Sequence, residues 1–371
     1  MSILRDVINI IRVDGPFKGS SILIQRLYMR GAHLIILLLD VCQTFVRWYG
    51  YYLKSRRSGR RLVVITLIEH MGDIVACEPV ANHVRAEEPN ALILWCAKKS
   101  YGEIVRQFRG IDAVIYLGCL TSWIALRKWA HFDKVVDLHI NGRSCHSCRI
   151  PLRKKEGDLR VTMENYYNYG SLLGAFCLSA GLPVLDGRPE LLVPDPVVRS
   201  VDRFGLQGPI VVIHCCSNES CRDWTPSHWN ELIETLHARY GVTVVEIGSE
   251  SPLDRPESVQ YRNLCGECSI LESAEVIKRA LLFIGIDSGP AHLANAVGTY
   301  GIILLGEYLL FRNYTPYSGA YANGSGASLL RAQGKVSLIS VSQVLKTVEV
   351  SGTLLSGSEI NGSLKNTWTN R

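Results

Sequence analysis

The sequence predicts an α/β protein with two doubly wound parallel-sheet domains facing one another across a cleft, behind an amphipathic helical extension. Three observations carry this. Short, continuously apolar runs rich in β-branched residues recur, as in strands buried on both faces. Each is followed by a helix-like segment, which is the alternation of a parallel sheet covered by helices. The rhythm also occurs twice, with a polar, basic and proline-rich interruption between. At 371 residues, 47% hydrophobic and 20% charged, the chain suffices for two ordinary domains and is too apolar to be disordered.

The N-terminal extension comes first. Residues 1–61 hold eleven Lys/Arg against three Asp/Glu, a balance of +8, and the rest of the chain carries −2. The basic excess is therefore a local surface, and no nucleic-acid partner is expected. The opening MSILRDVINIIRVDG lacks the apolar core and cleavage site of a secretory signal. HLIILLLDVCQTFVRWYGYYLK (33–54) resembles a membrane span, but it contains Asp40, Gln43 and Arg47. A mid-span Asp or Arg costs about 2.5–3.5 kcal/mol. On a helical wheel His33, Asp40, Gln43, Thr44, Arg47 and Lys54 gather within an arc of about 100°. The expectation is a helix lying flat on a membrane through residues 33–61, with KSRRSGRR (54–61) against anionic headgroups. The competing reading is a helix packed on the protein's own core or on a partner subunit.

The first series runs RLVVITLI (strand), the helix after EHMGDIVACEP, ALILWCA (strand), SYGEIVRQFRG (helix), AVIYLG (strand), TSWIALRKWAHF (helix) and KVVDLHI (strand). Residues 141–165 lack periodicity and read as a basic loop. YYNYGSLLGAFCLSAG is helical, and LPVLDGRPELLVPDPVV reads as a crossing between domains. The second series is GPIVVIHCCS, SHWNELIETLHARYG, VTVVEIG, ILESAEVIKRA, LLFIGI, PAHLANAVG, YGIILLG and SVSQVLKTVEV, strand and helix alternating. The domains follow as 1–60 (helical extension), 61–190, 191–350 and a Ser/Gly/Asn-rich tail, 351–371, expected to be disordered. Twelve cysteines are scattered, many within apolar segments (Cys42, Cys77, Cys96, Cys177), the usage of reduced thiols in a cytosolic protein. The pairs Cys145/Cys148 and Cys265/Cys268 lie in different halves of the chain, so a shared zinc site is not expected.

Three strand-to-helix turns carry the candidate chemistry, because ligands of such sheets bind beyond the strand C-termini. In GIDSGPAHLANAVGT (285–299), Ser288 is an N-cap candidate, Gly289 lets a ligand approach the backbone, and Pro290 suits a first turn. The helix start suits phosphate, with His292 as a further donor. Asp287 suits sugar hydroxyls. The alternative is an ordinary turn with a satisfied histidine. In HCCSNESCRDWTPSHW (214–229), Ser217 ends the strand and Arg222 offers charge to a leaving diphosphate in place of a metal ion, or is merely a solvated loop arginine. In IEHMGDIVACEP (68–79), Gly72 permits a tight turn and Asp73 either takes a proton from an attacking hydroxyl or caps its helix. The loop cations Arg143, Arg149, Arg153, Lys154, Lys155 and Arg160 either meet an anionic acceptor, Arg149 and Arg153 foremost, or stay solvated. There is no GxGxxG after a strand and no GxxxxGK[ST], so nicotinamide and P-loop chemistry are disfavoured.

Together LVVITLIEHMGDIVACEPV, VVIHCCSNESCRDWTPSHWNELI and FIGIDSGPAHLANAVGTYGIILLG resemble the signatures of the heptosyltransferase family, glycosyltransferase family 9, over roughly residues 61–350. The resemblance implies a GT-B fold of two Rossmann-like domains. It implies inverting, metal-independent transfer, without cofactor, from a nucleotide-diphosphate sugar, commonly ADP-heptose. The implied acceptor is the lipopolysaccharide inner core, an anionic glycolipid, at the cytoplasmic face of the inner membrane. By position Asp73 matches the family's base, Ser217 a hydroxyl near the donor phosphates, and Asp287, Ser288, Gly289 and His292 the donor-binding turn. Arg222 stands where the family usually has lysine, which keeps the charge and changes the geometry. Other readings are a GT-B epimerase or phosphorylase and a catalytically silent nucleotide-sugar-binding protein.

Overall fold

The computed structural model describes residues 16–307 and 314–354, and side chains from Leu34 onward in the first helix. The expected helical extension thus has its first fifteen residues outside the described chain, as the tail has 355–371. The chain opens with α1 (Pro16–Ser58). There follow β1 (Leu62–Thr66), α2 (Met71–Ala76), α3 (Glu78–Glu87), β2 (Leu92–Lys98), α4 (Gly102–Val105), β3 (Ala113–Leu117), α5 (Leu120–Trp129) and β4 (Lys134–Asp137). The four strands are parallel in the order β3-β2-β1-β4. β1 is interior to this sheet, and Leu62 to Ile65 are fully buried, as a continuous apolar run requires. SYGEIVRQFRG forms only one α-helical turn, because Gly110, with φ +88°, reverses the chain soon afterwards. Residues 141–165 contain only isolated bridges, Asn141 with Thr162 and Ser144 with Pro151.

After α6 (Leu172–Ser179) and α7 (Asp195–Ser200) comes the second sheet. Its elements are β5 (Ile210–His214), α8 (Pro226–Tyr240), β6 (Thr243–Glu246), β7 (Tyr261–Asn263), α9 (Ile270–Arg279), β8 (Leu282–Ile286), α10 (Gly289–Val297), β9 (Gly301–Leu305) and β10 (Ala327–Arg331), closed by α11 (Val341–Ser351). Six parallel strands run in the order β10-β9-β8-β5-β6-β7. The sequence pattern did not predict the two edge strands, β7 and β10. YRN is three residues without an apolar run, and ASLLR is only half buried, so neither carries the signature of an interior strand. The tail differs from expectation at its start: α11 continues to Ser351, and Leu354 is buried against the second domain.

The two sheets meet through α2 and α10. Their first turns cross at Gly72 and Gly289, and a methyl group on either would collide with the other domain, at His292 or at Met71. The Glu103 carboxylate accepts the Ile270 amide at the start of α9 (3.0 Å), and the Leu172 amide donates to Pro316 O (3.1 Å). These contacts join the two domains beside the cleft between the strand ends.

α1 docks differently from the flat amphipath that was expected. Three residues of the polar arc face the protein, while Gln43 and Lys54 are exposed and the His33 side chain lies outside the described residues. Asp40 accepts from the Gly118 amide (2.9 Å) and the Ser122 hydroxyl, Thr44 is buried, and Arg47 donates to Tyr116 O (3.1 Å). Leu37, Phe45, Trp48, Tyr51 and Tyr52 pack against the first domain beside them. Leu34, Ile35, Ile36, Leu38 and Leu39 are left 57–65% exposed. Within the basic run Arg56 pairs with Asp133 (3.3 Å), Arg60 with Asp112 (2.9 Å) and Arg61 with Glu88 (2.8 Å), while Lys54 and Arg57 are exposed. Leu34–Ser58 is long and apolar enough to cross a membrane by length and composition.

Candidate active site at the domain interface

A cleft of about 760 Å³ lies between the strand C-termini, lined from one side by His70, Gly72, Asp73 and Arg143 and from the other by Ser217, Arg222, Asp287, Ser288, Gly289 and His292. The turn after β1 delivers Asp73 in the first turn of α2, with His70 as its N-cap residue. The pairing of His214 with Gly285 sets β5 and β8 in register, so the turns after them lie side by side. Trp224 fixes the first of these turns. Its indole N–H donates to Ile339 O (2.7 Å) and its ring packs edge-on against Trp229.

Asp73 does not cap its helix with its side chain; its Oδ2 lies 3.6 Å from Arg143 Nη1. Burial, with Arg143 beside it, holds the His70 imidazole below its ordinary range in spite of Asp73, so it is neutral at neutral pH. Across the cleft, Arg222 Nη1 donates to Asp287 O (3.3 Å) and lies 3.9 Å from Asp287 Oδ2. The Tyr317 hydroxyl donates to Asp287 Oδ1 (3.0 Å). The carboxylate is therefore oriented by two partners. Ser288 stands at the N-cap of α10, but its hydroxyl donates back to Ile286 O (3.2 Å) and makes no cap bond. His292 is buried with its ring 4.8 Å from that of Tyr317. Burial lowers its pKa, and its Nδ1 has no hydrogen-bond partner. Ser217 donates to Asp223 Oδ1 (2.7 Å), and its amide bonds the same oxygen (2.8 Å), so its hydroxyl serves the loop.

The basic loop departs from expectation. Arg149 and Arg153 are exposed and do not line the cleft; Arg143 does. Lys154 is no surface cation. Its ammonium is buried, and its three N–H groups are shared among four acceptors, Asp137 O (2.5 Å), His139 O (2.9 Å), Ser179 Oγ (3.0 Å) and Ser179 O. Burial pulls its pKa down to about 8. Burial alone would raise Asp137, but bonds from His139 and Trp123 and the nearby Lys154 charge hold its pKa at about 2. Arg160 pairs with Asp158 (2.7 Å). Sequence reasoning missed His70, Tyr317 and the Gly248–Ser249 turn after β6, which also lines the cleft. Only the strand-end position of Gly248 carried a signal.

Residues 179–313 match the model of the family described as glycosyltransferase family 9 (heptosyltransferase). That stretch holds Ser217, Arg222 and the Asp287–His292 turn but not Asp73. The chain is 30% identical over 127 residues to lipopolysaccharide heptosyltransferase 3 of Escherichia coli, a match covering 32% of this chain and 37% of that protein's length. The fold matches the glycosyl transferase family 9 structure from Veillonella parvula with a TM-score of 0.63 at 18% identity, over 78% of this chain and 96% of that one. It matches E. coli ADP-heptose LPS heptosyltransferase II with a TM-score of 0.59 at 18% identity, over 78% and 98%. The chain thus shares the two-domain GT-B fold of these structures, and the turns after β5 and β8 that face the cleft lie within the stretch that matches the glycosyltransferase family 9 (heptosyltransferase) model.

Proposed function

We propose that the protein is an inverting, metal-independent glycosyltransferase that moves a heptose from ADP-heptose to a lipopolysaccharide core acceptor at the cytoplasmic face of the inner membrane. The observation that carries this is the meeting on one cleft of Asp73 from one sheet with Arg222, Asp287 and Gly289 from the other. The donor diphosphate rests against the start of α10, where Gly289 keeps the backbone open, and against Arg222. Arg222 is held by Asp287 before the donor arrives, so its charge meets the leaving ADP with little reorganisation. Asp287 Oδ1 is occupied by Tyr317, which leaves Oδ2 for Arg222 and a sugar hydroxyl. The acceptor hydroxyl enters beside α2. Asp73 takes its proton as the oxygen attacks the anomeric carbon, and the bond to the ADP oxygen breaks on the opposite face. Of the loop cations, Arg143 is the one within reach of an anionic acceptor.

The exposed aliphatic face of α1 supports a membrane location. With its other face docked on the first domain, the helix lies along the surface and brings the acceptor side close to glycolipid. Asp73→Asn tests the chemistry. It keeps the side chain's shape while removing the charge 3.6 Å from Arg143, so a melting curve of the variant is recorded beside the assay. ADP release in the presence of acceptor should fall about 10²–10⁴-fold, with calorimetric donor affinity unchanged. Turnover near the wild-type rate would remove Asp73 from the role.

A further inference from the structure

Three cysteines from two separate segments converge in the first domain. Cys119 is the N-cap residue of α5, and Cys145 and Cys148 form a CxxC in the loop after β4. Their sulfurs all lie within 4.8 Å of one another, and the Cys119 and Cys148 sulfurs are 3.8 Å apart. A tetrahedral zinc with Zn–S bonds of about 2.3 Å has sulfur–sulfur edges of about 3.8 Å. The loop is shaped to bring these sulfurs inward. Ser144 pairs with Pro151, the Cys145 amide donates to Ile150 O (2.9 Å) and the Arg149 amide to Cys145 O (2.8 Å). Arg149, directly after the second cysteine, has φ +59° and is the one non-glycine residue with positive φ among those described. A long side chain in the left-handed region is a tight reversal that closes a two-residue spacer between ligands. The Cys148 amide is directed at the Cys145 sulfur. Cys119 and Cys145 are buried and Cys148 is half-buried, so the fourth corner faces solvent.

We propose that Cys119, Cys145 and Cys148 bind one zinc ion, with water as the fourth ligand. None of the three lines the cleft, so the metal is structural. It staples the 141–165 loop to α5, two residues from Arg143, and so steadies the arginine beside Asp73. The second pair, Cys265 and Cys268, takes no part among the described residues.

The test uses the full chain purified under reductant and dialysed against a weak chelator, with elemental analysis for zinc. One zinc per chain is expected, lost in Cys119→Ser, Cys145→Ser and Cys148→Ser and retained in the Cys265→Ser/Cys268→Ser double variant. Should single variants fold poorly, cobalt titration of the metal-stripped wild type reports directly. It should give thiolate-to-cobalt charge transfer and tetrahedral ligand-field bands saturating at one equivalent. Alkylation with mass spectrometry should then find Cys119, Cys145 and Cys148 protected by zinc. Zinc content indifferent to these substitutions, an octahedral cobalt spectrum, equal alkylation with and without zinc, or a Cys145–Cys148 disulfide in the reduced preparation would each overturn the site.

Discussion

Replacing Gly72 by alanine would put a methyl carbon 2.9 Å from His292 Cδ2 and 3.4 Å from Gly289 Cα. His292 cannot easily retreat, being buried against Tyr317. The crossing of α2 and α10 must therefore widen by a few tenths of an ångström. Overpacking of this kind costs about 1–3 kcal/mol, and alanine's advantage over glycine within a helix returns about 0.5–1 kcal/mol. A net loss of about 0–2.5 kcal/mol follows, about 1 kcal/mol at mid-range. Gly289→Ala is the matched control. Its methyl would meet Met71 Cε at 2.2 Å, but that is the end of a flexible side chain, and the nearest backbone atom is 3.7 Å away. Thermal unfolding of the two variants side by side should show Gly72→Ala melting several degrees below wild type and Gly289→Ala close to it. Since the same crossing spaces Asp73 from Asp287, Gly72→Ala should also lower turnover. If Gly72→Ala proves as stable as Gly289→Ala, the tight crossing is refuted as the element that sets the cleft.

Two other outcomes follow from side chains outside the cleft. Burial raises the Glu78 carboxyl to about 7, where it accepts the Glu190 amide (2.9 Å). Its proton is held more tightly in the folded state, so this contribution is complete below the unfolded value near 4.5 and is lost as pH rises through about 7. It amounts to at most about 3 kcal/mol, and urea unfolding should show stability falling from pH 5 to pH 8, with a flatter profile in Glu78→Gln. On α1, exchanging Leu34, Ile35 and Leu38 for glutamine should release the protein from sedimenting anionic vesicles without lowering its melting temperature, because all three are exposed.

The interior strands were legible because burial on both faces leaves an uninterrupted β-branched run; Leu62–Thr66 and Leu282–Ile286 are buried throughout. The turns at Asp73, Arg222 and Asp287 were legible for a related reason, since a strand end fixes where the next residues emerge. What was illegible depends on partners distant in sequence. The arc of Asp40, Thr44 and Arg47 reads as a water-facing stripe until the Gly118 amide and Tyr116 carbonyl are known to await it. Lys154 looks like its neighbours Arg153 and Lys155, and only the folded chain gathers the carbonyls of Asp137, His139 and Ser179 around one ammonium. Cys119 sits 26 residues before the CxxC it joins, too irregular a spacing to signal a cluster.

The Lys154 anchor bears on how a glycan would be selected. A segment so rich in arginine and lysine suggests a mobile arm that wraps whatever anion arrives. Pinned at its middle by an ammonium with four acceptors, it is instead a wall standing before any ligand comes. The cost of ordering it falls in folding rather than in association. Discrimination among sugars at that wall would then depend on shape and on where Arg143 already points, and poorly fitting glycans would be turned away instead of accommodated.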